Sequence, residues 1–173
     1  IFSLNEDKII VSSNSSDIPT DKSNIVYKAA SLIKDEFNIK KGVEIYIEKH
    51  IPIAAGMAGG SSNAAAVLVG LNKLWNLNLS EDRLRELGLQ LGADVPFCIK
   101  GEASLAENIG EKLTSIDGLS EDVFILVCKP ELFVSTKEIY ECIDAKVIDK
   151  RPDNKLLIKL LKENDIKLLS ENM

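Results

Sequence analysis

Pro52-Ile-Ala-Ala-Gly-Met-Ala-Gly-Gly-Ser-Ser62 decides how this chain is read. Before it, Val43, Ile45 and Ile47 alternate with Glu44, Tyr46 and Glu48, the period-two pattern of a half-buried antiparallel strand. After it, Ala64, Val67, Leu68, Leu71, Leu74 and Trp75 recur at helical spacing, and Ala65 and Val69 widen the apolar face. The stretch therefore carries the chain from a strand into the first turn of a largely buried helix. A helix start exposes unpaired N–H groups and the positive end of the dipole, which together attract anions. Gly56, Gly59 and Gly60 allow close approach of a polyphosphate, and Ser61 and Ser62 add hydroxyls for phosphate oxygens or a magnesium ion. Read by themselves, the same small residues could instead serve close helix packing. Two other phosphate loops are excluded. Ser61 stands where G-x-x-x-x-G-K-[ST] requires lysine, and no G-x-G-x-x-G occurs.

Outward from this stretch the pattern is mixed. Lys8–Ser12 is β-prone, a polar loop with Pro19 follows, and Val26, Ala29, Ala30, Ile33 and Phe37 define an amphipathic helix. Ser80 caps a helix with Glu81 and Asp82 in its first turn and Leu84, Leu87 and Leu91 along one side, ended by Gly92. Ala103–Glu107 reads as a strand, and the continuous apolar run Val123–Cys128 as a buried one. Ser135-Thr-Lys-Glu138 matches a capping box, and Asn154–Glu163 is a leucine-rich helix. With no regular βαβ alternation, the fold class is α+β.

The 173 residues suffice for one compact domain with a core. The composition, 45% hydrophobic and 28% charged, is that of an ordinary globular protein. A formal charge of -6 argues against a nucleic-acid partner. No apolar run is long enough to span a bilayer, and the first residues show no secretory signal pattern. Cys98, Cys128 and Cys142 are odd in number and scattered, which suits reduced thiols in a cytoplasm. Cys98 and Cys128, in apolar surroundings, read as buried packing thiols. His50 is the single histidine, which excludes a histidine-rich zinc site. The chain does not begin with methionine, and it is expected to be part of a longer protein.

Pro52-Ile-Ala-Ala-Gly-Met-Ala-Gly-Gly-Ser-Ser-Asn-Ala-Ala65 closely resembles the nucleotide-binding motif of the GHMP kinases. Within that superfamily, Leu91-Gly-Ala-Asp-Val-Pro-Phe97 resembles the signature of the 4-diphosphocytidyl-2-C-methyl-D-erythritol kinase family, and Leu71-Asn-Lys-Leu-Trp75 between the motifs also matches. The similarity runs from about Asp21 to Tyr140. It implies a two-layer α+β sandwich like that of a ribosomal protein. Residues 1–145 would form the ATP-binding domain and residues 146–173 the start of a second domain. The implied reaction is phosphorylation, with ATP and magnesium, of a hydroxyl on a cytidine-diphosphate-linked methylerythritol, in the non-mevalonate route to isoprenoid precursors.

By that resemblance Pro52, Ile53, Ala54, Ala55, Gly56, Met57, Ala58, Gly59, Gly60, Ser61 and Ser62 would wrap the ATP phosphates, with Ser62 also facing the metal. Asn24 and Lys49 fall where the family lines its adenine pocket. Asp94 matches the catalytic aspartate, the base that takes a proton from the attacking hydroxyl. Tyr140 matches an aromatic position that stacks on cytosine, and Thr136 would face the reacting groups. The family's N-terminal lysine-bearing strand, its Asp-Gly-Tyr-His segment and its C-terminal glycine-rich motif are missing from these residues, so the chain by itself is expected to have little or no activity. Two alternatives stand beside this reading: a GHMP kinase for mevalonate or homoserine, and a fragment that binds nucleotide without chemistry. The oligomeric state is not legible.

Overall fold

The structure is a computed structural model that describes residues 1–130, 136–144, 146–148 and 151–173. Its elements are β1 (Phe2–Leu4), β2 (Ile9–Ser13), α1 (Ile25–Glu36), β3 (Gly42–Ile47), α2 (Gly59–Leu74), α3 (Glu81–Leu89) and α4 (Val95–Lys100). These are followed by β4 (Ser104–Glu107), β5 (Lys112–Ser115), α5 (Thr136–Asp144), α6 (Asn154–Glu163) and α7 (Ile166–Asn172).

The main sheet has the order β1-β3-β2. β3 runs antiparallel to β1, with Phe2 opposite Glu44, and parallel to β2, with Val11 opposite Ile45. The strand expected as antiparallel is therefore paired both ways. α1 carries the chain back across one face, so β2 and β3 point the same way and form one βαβ unit. The alternation along β3 reports that one face is covered, not the direction of its neighbours. Val43, Ile45 and Ile47 are buried under α1 and α2, and Glu44, Tyr46 and Glu48 are exposed. The core joins this face to Val26, Ala29, Ala30 and Ile33 of α1, Ala64, Val67, Leu68 and Leu71 of α2, and Leu84, Leu87 and Val95 from α3 and α4. Leu74, expected on the buried face of α2, is exposed at the helix end.

Polar groups fix how these layers meet. Asn24 caps α1: the Val26 N–H donates to its Oδ1 (2.8 Å), and its Nδ2 donates to the Pro19 carbonyl (2.5 Å). Lys34 Nζ donates to the carbonyls of Ile39 (2.9 Å) and Lys41 (2.5 Å), pairs with Asp7 (2.7 Å) and lies 5.9 Å from the Trp75 ring centre. That one ammonium ties the end of α1 to the β1–β2 turn and to the end of α2. Gly42 has no room for a side chain, because a Cβ would strike the Glu6 and Lys8 carbonyls.

Two expectations need correction. Val123–Cys128 forms no strand. It has no ladder partner among the described residues, and Phe124 and Leu126 are each 94% exposed. An apolar run supplies side chains for a buried strand, but burial also requires a neighbouring strand to accept its backbone. Cys128 is accordingly exposed rather than buried, whereas Cys98 packs against the core. Ser135 of the capping box and the side chain of Thr136 lie outside the described residues. α6 and α7 pack on each other, and their buried Leu160 and Leu169 stand apart from the main core cluster.

Candidate active site

The Pro52–Gly60 loop leaves β3 and enters α2 through an unusual backbone. Ala54, Gly56 and Ala58 all have left-handed φ, of 53°, 67° and 49°. For alanine this conformation is strained, and alternating handedness along a loop turns successive N–H groups toward one concavity. Ala58 is also the residue preceding α2, and no side chain caps that helix. No side chain meets the first-turn N–H groups of α2, in contrast to α1 and α3, which Asn24 and Ser80 cap. α2 has no acidic residue in its first turn.

Gly59 is small for a packing reason. A Cβ there would stand 2.6 Å from Lys49 Nζ and 3.0 Å from Ile51 Cγ2. The Ser62 hydroxyl donates to the Gly59 carbonyl (3.0 Å), so its proton is committed within the helix while its lone pairs stay available. Around the loop lies a cavity of about 510 Å³ lined by Ile18, Lys49, Pro52 to Gly60, Asp94 and Tyr140. An adjoining pocket of about 190 Å³ shares Ile18, Lys49 and Gly60 with it and adds Asn24, Ser23 and Asn63, among others.

Asp94 reaches this cavity because α3 stops early. Gly92 N–H and Leu91 N–H both bond back to the Gly88 carbonyl, and α4 then starts with Pro96 in its first turn, where a missing N–H costs nothing. Asp94 sits at the α4 cap position, yet its carboxylate makes no capping hydrogen bond. It is exposed, and it is the one carboxylate lining the cavity among the described residues. Burial, with the nearby Asp94 charge adding to it, pushes the Cys98 thiol above its ordinary pKa and keeps it protonated. Tyr140 projects from α5 into the same cavity and is 63% exposed, so it is not a core residue of its helix.

The structure thus brings together the glycine loop, Lys49, Asp94 and Tyr140. Asn24 lines only the adjoining pocket and is 7% exposed, with its amide already serving as a cap. Ser61 and Ser62 do not line the main cavity. Sequence reading does not single out Ile18, which lies in a loop with no periodic pattern and touches both pockets. No cluster of three His, Cys, Asp or Glu side chains able to hold a metal occurs among the described residues. Among the described residues Asp94 is the one carboxylate of the cavity lining with the hard oxygens that magnesium takes, an ion that accepts one or two protein ligands and completes its shell with phosphates and water. None of the helices is long and apolar enough to cross a membrane among the described residues.

Residues 24–102 match the family model of the GHMP kinases N terminal domain. Across all 173 residues the chain is 66% identical to a 4-diphosphocytidyl-2-C-methyl-D-erythritol kinase of Clostridioides difficile (strain 630), covering 58% of that relative. It is 49% identical to the enzyme of that name from Caldicellulosiruptor saccharolyticus, covering 59% of it. The chain therefore spans less than two thirds of the curated relatives it matches. Among solved structures it resembles a 4-(cytidine 5'-diphospho)-2C-methyl-D-erythritol kinase with a TM-score of 0.65 and 27% identity, over 93% of this chain and 62% of that one. A homoserine kinase from Cytophaga hutchinsonii superposes with a TM-score of 0.70 at 17% identity, over 96% of this chain and 58% of that one, a likeness of fold alone.

Proposed function

We propose, from a chain whose residues 24–102 match the GHMP kinases N terminal domain, that the glycine loop binds ATP and that Asp94 deprotonates a substrate hydroxyl for phosphorylation. The substrate is 4-diphosphocytidyl-2-C-methyl-D-erythritol, and the reaction belongs to the non-mevalonate route to isoprenoid precursors. The relatives' names and the identity to them support that choice. One observation carries the chemistry: a carboxylate left unused by its own helix opens into the cavity built by an uncapped helix start.

The residues divide the work as follows. The Pro52–Gly60 loop and the first amides of α2 grip the phosphates and offset their charge. Asp94 accepts the hydroxyl proton as that oxygen bonds to the γ-phosphorus and the bond to the β-phosphate oxygen breaks. Tyr140 offers a flat exposed ring for the cytosine, while Asn24 and Lys49 border the pocket available to the adenosine end. Magnesium, when bound, would neutralise phosphate charge, with Asp94 as the cavity carboxylate that would hold it and Ser62 as the hydroxyl that the resemblance assigns to it. Residues 1–145 act as the nucleotide-binding domain and residues 146–173 open a second one, a division supported by the separate burial of Leu160 and Leu169. The three free cysteines fit a reducing compartment, the cytoplasm.

A chimera tests this reading directly, with the chain set in place of the matching segment of the Clostridioides difficile relative. ADP release should depend on the cytidyl methylerythritol substrate and be negligible with mevalonate or homoserine. Turnover with either of those, or equal ADP release without any acceptor, would overturn the assignment.

A further inference from the structure

Ala54 and Ala58 hold left-handed φ, of 53° and 49°. Every other non-glycine residue with positive φ among the described residues is an asparagine: Asn38, Asn76, Asn78, Asn108 and Asn164. Asparagine tolerates this conformation because its short polar side chain can bond to the local backbone, and alanine has no such group. We infer that these two alanines set the nucleotide affinity of the loop: they make its phosphate-ready conformation costly, so the anion selects that conformation from a relaxed ensemble and binds more weakly than the same amides would allow. The inference rests on the nucleotide site proposed above and concerns how much of its affinity goes into shaping its own loop.

Backbone strain persists by itself only where the surrounding fold over-determines it. Here the fold does not. Among the described residues no backbone hydrogen bond joins residues 52–57 to another element, and the Ala58 carbonyl bonds only forward, accepting from the Ser62 N–H of α2 (2.8 Å). Neighbours do not clamp the loop either. A Cβ on Gly56 would meet nothing within 4 Å, and Pro52, Ile53, Ala54, Gly56 and Met57 are exposed. An exposed, unbonded alanine has a cheaper alternative in the right-handed or extended regions. Rotation at either position turns an N–H away from the cavity that the loop shares with Asp94. A polyphosphate that accepts several of these N–H groups at once supplies the restraint that the fold leaves out. Its apparent affinity is then lowered by the fraction of molecules already in the competent conformation.

Glycine adopts left-handed φ without the steric cost, so Ala54→Gly and Ala58→Gly test the inference by a gain and not a loss. The probes are inorganic tripolyphosphate, ADP and adenosine, titrated calorimetrically into the chain and its variants. The alanine penalty, partly offset by the freedom of glycine in the relaxed loop, corresponds to about threefold to tenfold tighter binding of tripolyphosphate and ADP in each variant. Adenosine, which brings no phosphate to the loop, should stay within about twofold. In stopped-flow mixing the gain should appear in the association rate, because a larger share of molecules is competent beforehand. Ala55→Gly is the control, since Ala55 lies in the same loop outside the left-handed region, and it should bring no gain. Unchanged anion affinity with a raised thermal midpoint would show that the fold carries the strain, and would overturn the inference. An equal gain in Ala55→Gly would overturn it too, by assigning the effect to loop freedom in general. If neither the unsubstituted chain nor any variant binds ADP or tripolyphosphate, the nucleotide reading of the cavity itself falls.

Discussion

Asp94 is aimed by its neighbours. Gly92 lets α3 close on Gly88, and Pro96 starts α4 without needing an acceptor, which leaves the carboxylate outside both helices. Asp94→Asn keeps the shape and removes the base. Phosphoryl transfer by the chimera should drop about 10²–10⁴-fold, while ADP affinity stays within about twofold; parallel loss of both would place Asp94 in binding only. Gly59→Ala tests the other side of the cavity. Its methyl would crowd Lys49 Nζ and Ile51, and the flexible lysine yields more readily than the branched isoleucine. ADP affinity should fall about tenfold because the displaced lysine lines the nucleotide cavity, with little change in the unfolding midpoint. At this scale the glycine loop was legible because its glycines and alanines gather just before a helix, and Asp94 because its motif is specific. The position of Lys49 against Gly59 was not, since it depends on where β3 ends in space. Asn24 was singled out only through the family resemblance, and its use as a buried cap appears only with Pro19 in place.

Elements were readable in proportion to their length and periodicity. α1, β3 and α2 show several repeats of their pattern, whereas β1, β5, α4 and α7 are too short to repeat one and went unread. Val123–Cys128 failed for a different reason: its chemistry was read correctly and its pairing could not be. Two caps can be measured. Asn24→Ala should destabilise the chain by about 1–2 kcal/mol in urea unfolding, because α1 loses its N-cap and the Pro19 carbonyl its donor. Lys34→Met should cost roughly 2–3 kcal/mol, leaving the Ile39 and Lys41 carbonyls without their shared donor. The same lysine, mainly through its hydrogen bond, holds the Asp7 carboxyl below the usual aspartate pKa. A depressed folded pKa gives stability that is present above the unfolded value. That part is lost as pH falls through the folded one, below about pH 4. Unfolding midpoints measured downward from pH 5 should therefore fall less in Lys34→Met than in the parent; an identical slope would detach Asp7 from the effect.

For the whole molecule, the decisive fact is where apolar surface is left. Phe124, Ile125, Leu126 and Val127 are all exposed on a segment without a ladder partner among the described residues, and Ile139, Tyr140 and Ile143 are exposed along α5. Exposed runs of this kind favour association with other chains through unpaired backbone and side chains together. The core built by β2 and β3 with α1 to α4 does not include this segment, so its stability should not depend on it. Replacing Phe124 and Leu126 together by serine should leave the unfolding midpoint of the chain unchanged within about 0.5 kcal/mol, the usual range for surface positions. Light scattering at high protein concentration and binding of a hydrophobic dye should both decrease. In the chimera, where the relative's further length surrounds this chain, the same pair should destabilise by about 2–5 kcal/mol if that length covers the segment. A loss of that size in the chain alone would instead mean that residues 123–127 already pack on the core, contrary to their exposure.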